Sequence, residues 1–400
     1  MRKIRDGLLI TAITLALFGL LEAGSRIFWS QASSAFYLRE RSILTQDNQV
    51  GWVNRPCAHA IAKTPEFTAE YQINRQGFRD AVVHSPSPRP GVTRILLLGD
   101  SFTFGQGNEY DKNWPVILER ELNRSGFEAE VINDGVCGYD TRQEVLNLER
   151  LAQEYHPGLV VLVFLPNDLF TNTPFDAPVP QLDAVHNLKH YRTSVEATLT
   201  SIATHLNIVE LSERMMLSND SMYERLYMMT PRAQYFSNPP TERLQSQLSL
   251  TEVLLERGMN FCKARGLSFA VLSLPQEFQV LALANGDSPS GIGVEVIDST
   301  LSGFAQTKGT PWFAALDTMA SAYKARRSDL FYRSDGHLTN AGSEVVAGFL
   351  ADQLVKHGLV RRSASLNPMP VALSAQGTDS GCGPDHPSEA GDAPLSASPE

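Results

Sequence analysis

Moving an acyl group through a serine needs a hydroxyl nucleophile, a base to take its proton, a carboxylate to hold that base, and donors where an oxyanion will develop. The chain offers a candidate for each, and every one falls where a strand pattern ends or a loop begins. Ser101 follows the apolar run Ile95-Leu-Leu-Leu98 in Gly99-Asp100-Ser101, which places its hydroxyl at the carboxyl end of a strand, where open α/β sheets keep their ligand crevices. His337 would be the base and Asp335 the group that orients its imidazole. The backbone N–H groups of Ser101 and Gly138, with the side-chain amide of Asn167, would face the oxyanion. Each residue also has a purely structural reading. Ser101 and His337 suit helix caps, Gly138 suits a turn, and Asn167 suits an Asx turn. Asp168 reads as a cap or pairing partner rather than a catalytic group.

These residues can meet only if the elements that carry them share one edge of a sheet. From Arg94 the sequence alternates strand and helix patterns, which predicts βαβ units and a mainly parallel sheet. Strands are expected at Ile95 to Leu98, Glu130 to Asn133, Leu159 to Leu165, Leu267 to Leu274 and Phe313 to Leu316. The run from Leu159 is apolar throughout, as a central strand covered on both faces must be. Helices are expected from Asn113 to about Gly126, from Thr141 to about Tyr155, from Pro240 to Arg265, and from Val294 to Lys308. Thr141-Arg-Gln-Glu144 reads as a capping box, and Thr339 or Asn340 caps a last helix that ends by Gly358. Residues 171–239, rich in Met, Ser, Thr and Asn, predict an insertion of short helices and loops beside the site.

Four hundred residues, 42% of them hydrophobic, can bury a sizeable core, and one large α/β domain with appendages is expected over residues 91–362. Residues 30–90 form a lead-in segment and linker, extended over Gly51-Trp-Val-Asn-Arg-Pro56 and Tyr71 to Asp80 and then Ser/Pro-rich. At the amino terminus Arg2, Lys3 and Arg5 precede an almost unbroken apolar run from Leu8 to Leu21. Residues 1–29 therefore read as an uncleaved signal anchor, with a cleaved signal peptide as the alternative. Both keep the basic end cytoplasmic and export the remainder. Residues 363–400 are dominated by Ser, Ala, Pro and Gly, too poor in large apolar residues to pack, and are expected to be a disordered tail.

A net charge of −10 and a pI near 5.5 argue against a nucleic-acid partner, since phosphate binding needs a basic face. Cys57, Cys137, Cys262 and Cys382 include no C-x-x-C pair, so no thiolate metal site is expected; whether any of them pair is open. The histidines other than His337 show no metal-ligand spacing, and neither a metal nor another cofactor is expected.

Gly99-Asp100-Ser101, Gly138 after a strand, Asn167-Asp168 after an apolar strand and Asp335-x-His337 near the carboxyl end resemble, in order, the four blocks of the SGNH, or GDSL, hydrolase family. The resemblance spans residues 99–337. It implies a three-layer α/β/α sandwich with a central parallel, flavodoxin-like sheet, and esterase, lipase, thioesterase or carbohydrate-deacetylase activity. The family's serine, glycine, asparagine and histidine carry over to Ser101, Gly138, Asn167 and His337, and its aspartate to Asp335. Phe102 stands where many members have leucine, and one residue, Gly336, separates the aspartate from the histidine where many members have two. The shorter spacing is similar to that of membrane-associated relatives that move acetyl groups on polysaccharides, and Asn74-Arg-Gln-Gly-Phe-Arg79 looks similar to membrane-anchored bacterial members. Two functions are expected. One is a membrane-tethered serine esterase whose partner is an acylated carbohydrate or lipid ester. The other is a carbohydrate-binding or assembly protein on the same fold that has lost turnover. A binding protein has no physical need to keep serine, histidine, aspartate and asparagine together, which favours the enzyme.

Overall fold

The computed structural model describes residues 2–28, 43–64, 66–182, 207–286, 288–326, 329–362 and 380–382. The chain opens with helix α1 (Arg2–Phe28), followed by two antiparallel hairpins, β1 (Leu44–Asp47) with β2 (Gly51–Asn54) and β3 (His59–Lys63) with β4 (Thr68–Gln72). The alternating unit then runs β5 (Thr93–Gly99), α2 (Ser101–Phe104), α3 (Trp114–Arg124), β6 (Ala129–Gly135), α4 (Thr141–Tyr155), β7 (Leu159–Phe164) and α5 (Asp168–Thr171). Two helices of the insertion follow, α6 (Asn207–Leu217) and α7 (Asp220–Met228). The domain closes with α8 (Glu242–Ala264), β8 (Ser268–Ser273), α9 (Glu277–Asn285), α10 (Val296–Thr307), β9 (Trp312–Ala314), α11 (Leu316–Arg326) and α12 (Asn340–Lys356).

Strands β5 to β9 form one parallel sheet in the order β6-β5-β7-β8-β9. Helices α3, α12, α11 and α9 pack in a row on one face, and α4, α8 and α10 on the other, giving three layers. Every residue of β5 and β7 is buried, which is why their apolar residues do not alternate with polar ones. The chain leaves β5 toward β6 on one side and returns to β7 on the other, so the carboxyl ends of β5 and β7 border the point where the winding reverses. Ligand crevices of doubly wound sheets lie there. Ser101 stands two residues past the end of β5, and Asn167 stands just past β7.

Two details differ from the expected elements. Helix α4 is capped by Asp140, whose Oδ1 accepts from Gln143 N at 3.1 Å, so Thr141 is its first residue and its hydroxyl donates instead to Asp168 Oδ2 at 2.9 Å. The carboxyl tail was expected to lack structure. Residues 380–382 are nevertheless held against the lead-in segment: Ser380 O accepts from Arg75 N at 3.0 Å, and Cys382 forms a disulfide with Cys57. The rest of residues 363–400, and residues 183–206 of the insertion, lie outside the described residues. Cys137 and Cys262 are buried thiols.

The lead-in segment is a structural layer of the domain. Trp52, Phe67, Tyr71, Phe104 and Tyr139 share a second core that joins the hairpins to the ends of β5 and β6. Beyond the hairpins, the buried His84 ring lies between two carboxylates, with Nε2 2.8 Å from Asp80 and Nδ1 2.8 Å from Glu130, while Arg94 also pairs with Glu130 at 2.9 Å. Helix α1 contains a window, Leu9–Arg26, with mean hydropathy 1.4, long and apolar enough to cross a membrane by length and composition. Its Glu22 accepts from the backbone N–H groups of Asn207 and Ile208 at the start of α6.

The His84 cluster makes stability depend on pH in a defined direction. Burial disfavours the imidazolium, but the hydrogen bonds and charges of Asp80 and Glu130 outweigh it and raise the His84 pKa to about 9. A pKa raised on folding contributes stability that is whole below the unfolded value of about 6.5 and is lost as pH rises through the folded value. Facing this ring are Asp80, Glu130, Arg94, Tyr110 on Asp80, and the charge of Glu119. Urea titrations should therefore find wild type more stable than a His84→Asn variant by a margin that is larger at pH 6 than at pH 9.5. Equal margins at the two pH values would show that the charged imidazole does not carry the effect.

Candidate active site

The site is built from the strand ends outward. Asp100, 1% exposed, closes β5 and caps the short α2 turn: its Oδ1 accepts from Phe102 N at 2.8 Å. Its Oδ2 accepts from Asn167 Nδ2, also at 2.8 Å. One buried carboxylate thus fixes both the turn that carries Ser101 and the amide of Asn167. Burial raises the Asp100 pKa, against the opposing pull of the Asn167 and Phe102 hydrogen bonds and the charge of His337. An amide nitrogen has two N–H donors, so Asn167 keeps a second one to offer.

The turn is packed directly on the neighbouring strand. A Cβ at Gly135 would lie 2.0 Å from Phe104 N, and one at Gly99 would lie 2.1 Å from Thr103 Oγ1, so only glycine fits at either position. From below, the fully buried Arg79 donates through Nη1 to Phe104 O at 2.7 Å and to Gly105 O at 2.6 Å, and through Nη2 to Asn108 O. Its guanidinium stacks on Tyr71 and Phe104, with 4.7 and 4.8 Å to the ring centroids. Planar donors on one fork suit this task as a lysine would not.

His337 arrives from the other end of the chain. His337 Nε2 lies 2.6 Å from Ser101 Oγ, and His337 Nδ1 lies 2.6 Å from Asp335 Oδ1. With the serine hydroxyl donating to Nε2, the ring proton sits on Nδ1 and is donated to Asp335. Burial pushes Asp335 up, yet the charge and hydrogen bonds of His337, with the amide of Gln106, hold it below the ordinary carboxylate range. Gln106 Nε2 reaches Asp335 Oδ2 at 3.4 Å. One residue between aspartate and histidine suffices because residues 332–337 form a tight loop. Tyr332 N donates to His337 O, Gly336 N donates to Tyr332 O, and Gly336 adopts φ +85°, a conformation costly for other residues. The Phe102 ring lies against the imidazole at 4.8 Å between centroids.

The structure therefore brings Ser101, His337, Asp335 and Asn167 together. Gly138 stands apart from this hydrogen-bonded set, in an exposed turn with φ +80° beyond β6 on the same sheet edge. That turn is held by Trp52, whose indole donates to Cys137 O at 2.9 Å. The sequence assigns no role to Asp100, Gln106 or Arg79, although Asp100 and Arg79 lie in stretches that carry the resemblance. Asp168, 0% exposed, takes the hydroxyl of Thr141 and lies near the buried Glu144. Burial, and next the charge of Asp100 on Asp168 and of Asp168 on Glu144, raise both carboxyls well above their ordinary values.

A doubly wound sheet that carries a Ser-His-Asp set and an asparagine at its switch point defines an SGNH-type hydrolase architecture. The model of the GDSL-like Lipase/Acylhydrolase family matches residues 97–345, more than half of the chain, and the chain belongs to that family. An arylesterase of Vibrio mimicus is 32% identical over 75 residues, which is 19% of this chain and 38% of that protein. Esterase TesA of Pseudomonas aeruginosa is 28% identical over 74 residues, 18% of this chain and 37% of that protein. The chain thus matches well under half the length of these relatives. Among solved structures, a lipolytic protein of the G-D-S-L family from Veillonella parvula covers 66% of this chain and 99% of its own, at 10% identity and a TM-score of 0.39. The family match leaves out the lead-in segment, where Arg79 lies.

Proposed function

We propose that the chain is a serine esterase, exported and tethered to a membrane by α1, that cleaves or transfers a small acyl group, acetyl by preference, on an envelope carbohydrate or lipid ester. The observation that carries the reading is the continuous chain from Asp335 through His337 to Ser101, with 2.6 Å at each link. In this mechanism Ser101 Oγ attacks the ester carbonyl as its proton passes to His337 Nε2. The oxyanion is met by the N–H groups of Ser101 and Gly138 and by Asn167. As the carbon–oxygen bond breaks, His337 returns the proton to the departing alcohol and leaves an acyl-serine. Water, or a sugar hydroxyl, then gives its proton to His337 and attacks the acyl carbonyl; as the bond to Ser101 Oγ breaks, His337 returns that proton to Oγ and the resting site is restored. Asp335 stays ionised and steadies the imidazolium in both halves.

Export is supported by the basic start ahead of an apolar helix and by the disulfide between Cys57 and Cys382, since such bonds persist in oxidising compartments. The carbohydrate or lipid substrate rests on the one-residue spacing of Asp335 and His337 and on the stretch from Asn74 to Arg79.

Ser101→Ala should keep the fold and lose turnover of p-nitrophenyl acetate by several orders of magnitude, and a fluorophosphonate should label Ser101. Acetate release that falls when a polysaccharide acceptor is added, with acetylated polysaccharide appearing, would assign transfer; unchanged release would assign hydrolysis. A Ser101→Ala variant with more than a tenth of wild-type turnover would remove Ser101 as nucleophile.

Asn167→Ala should lower kcat roughly 100-fold, with a smaller change in KM, because the amide acts on the oxyanion of the transition state. Asp168→Asn should cost only a few-fold, because an amide of the same shape can still accept from the Thr141 hydroxyl. Equal losses would point to collapse of the turn they share.

A reporter that matures only after export, fused behind residue 362, should be active and remain in the membrane fraction at full-length mass. Loss of about 25 residues would instead mean a cleaved signal peptide. A reporter confined to the cytoplasm would overturn export and the envelope substrate with it.

A further inference from the structure

The loop that carries Asp335 and His337 is gripped by a residue far from it in sequence and outside the family match. Glu66 sits at the tip of the β3–β4 hairpin, in a turn closed by Thr64 N on Phe67 O at 2.9 Å and by Thr64 Oγ1, which accepts from Glu66 N and Phe67 N at 3.2 and 3.1 Å. From this fixed turn its carboxylate spans two successive amides of the loop. Oε2 accepts from Ser334 N at 3.0 Å and from Asp335 N at 3.1 Å, and Oε1 accepts from Ser334 N at 3.2 Å. Beside it, the Phe67 ring packs on Tyr332 at 4.8 Å between centroids, and the Tyr332 hydroxyl donates to Gly107 O at 3.1 Å. The hairpin tip therefore holds both strands of the loop, and Glu66 bonds the backbone of the residue that orients the base.

We propose that Glu66 is a positioning residue for the Asp335–His337 pair: its carboxylate fixes the loop backbone, and its charge favours the imidazolium that forms during acyl transfer. The proposal rests on Ser101, His337 and Asp335 being the reacting set. A loop only six residues long, closed through a left-handed glycine, has little else to hold its register, and a shift of about an ångström at a base can cost as much as 100-fold in rate. Charges near a catalytic histidine also set its protonation. Asp335 and Asp100 act on this histidine directly, and Glu66 and Tyr332 act on Asp335. Burial raises the Glu66 carboxyl, against the pull of the Ser334 and Asp335 amides and of Arg214 on α6, and Glu277, paired with Arg333, also faces Glu66. Removing the charge of Glu66 leaves the imidazolium with less anionic support, so the histidine should titrate at a lower pH.

The test uses the full-length protein and p-nitrophenyl acetate, with Ser101→Ala alongside. Glu66→Ala should lower kcat by about tenfold or more with KM within about threefold. Glu66→Gln keeps an oxygen acceptor for the two amides, which guards against loss of the fold. It should restore most of kcat while moving the acidic limb of the kcat/KM profile down by about half a pH unit. A Glu66→Ala variant with kcat within about twofold of wild type, or a Glu66→Gln profile whose acidic limb stays in place, would overturn the proposal while Ser101→Ala remained inactive. Activity retained by Ser101→Ala would instead overturn the reading of the site on which the proposal rests.

Discussion

The site depends on one buried carboxylate. Asp100 lies at the seam where the sheet reverses its winding, and each of its oxygens accepts a hydrogen bond from a different strand end, Phe102 N on the β5 side and Asn167 Nδ2 on the β7 side. Hydrogen bonds to a charged group are worth about 1.5–3 kcal/mol each, yet the larger effect is geometric. Ser101 and Asn167, which belong to separate crossover units, are set relative to each other by a single side chain. The cost is desolvation, visible in the raised pKa of Asp100, and it is tolerable only because both oxygens are satisfied.

The second constraint comes from the lead-in segment, which supplies support to each corner of the site. Arg79 takes the carbonyls at the carboxyl end of the Ser101 turn, and the Tyr71 hydroxyl accepts from Gly107 N at 2.9 Å. Trp52 and Asn54 hold the end of β6 through Cys137 O and Gly135 O. Glu66 holds the acid–base loop. A parallel sheet leaves its catalytic loops open at one edge, and here two antiparallel hairpins brace that edge. The disulfide from Cys57 to Cys382 closes a span of 325 residues and fixes the lead-in segment to the distal tail. By limiting the unfolded chain, a crosslink over so long a span stabilises the brace along with the domain.

How far this was legible in the sequence follows from which interactions are local. The strands β5, β6, β7 and β8, the helix that ends at Tyr155 and the cap at Thr339 could be read because apolar periodicity and capping are properties of short stretches. Gly99-Asp-Ser101 and Asp335-x-His337 are each weak alone and become legible only as members of an ordered set with Gly138 and Asn167. The hairpins read only as extended chain, since pairing between β3 and β4 is a relation between stretches. Helices α9 and α11 were not anticipated. Helix α9 has apolar residues on nearly every side, as befits a buried helix, and so lacks the one-sided pattern that marks a surface helix. The capping box at Thr141 was misread by one residue because Asp140 competes for the same amides, and Thr141 has a better partner in Asp168. Arg79, Gln106 and Glu66 act on groups distant in sequence, and no local pattern announces such contacts.

The distribution of carboxyl groups gives the site its polarity. Asp335, bonded to the imidazole, is held below the ordinary range, so it is an anion wherever His337 needs one. Glu144 and Asp168, which follows Asn167 in the chain, are fully buried, and burial raises both, as next does the charge of Asp168 on Glu144 and of Asp100 on Asp168. Next to Asn167 burial thus works against ionisation of these carboxyls, whereas beside His337 the imidazole works for ionisation of Asp335. Two sets of carboxyl groups thus do opposite work because their environments push their pKa values apart. The same fold sorts these shifts, since Asp335 meets the imidazole in the loop at the crevice while Asp168 and Glu144 are fully buried.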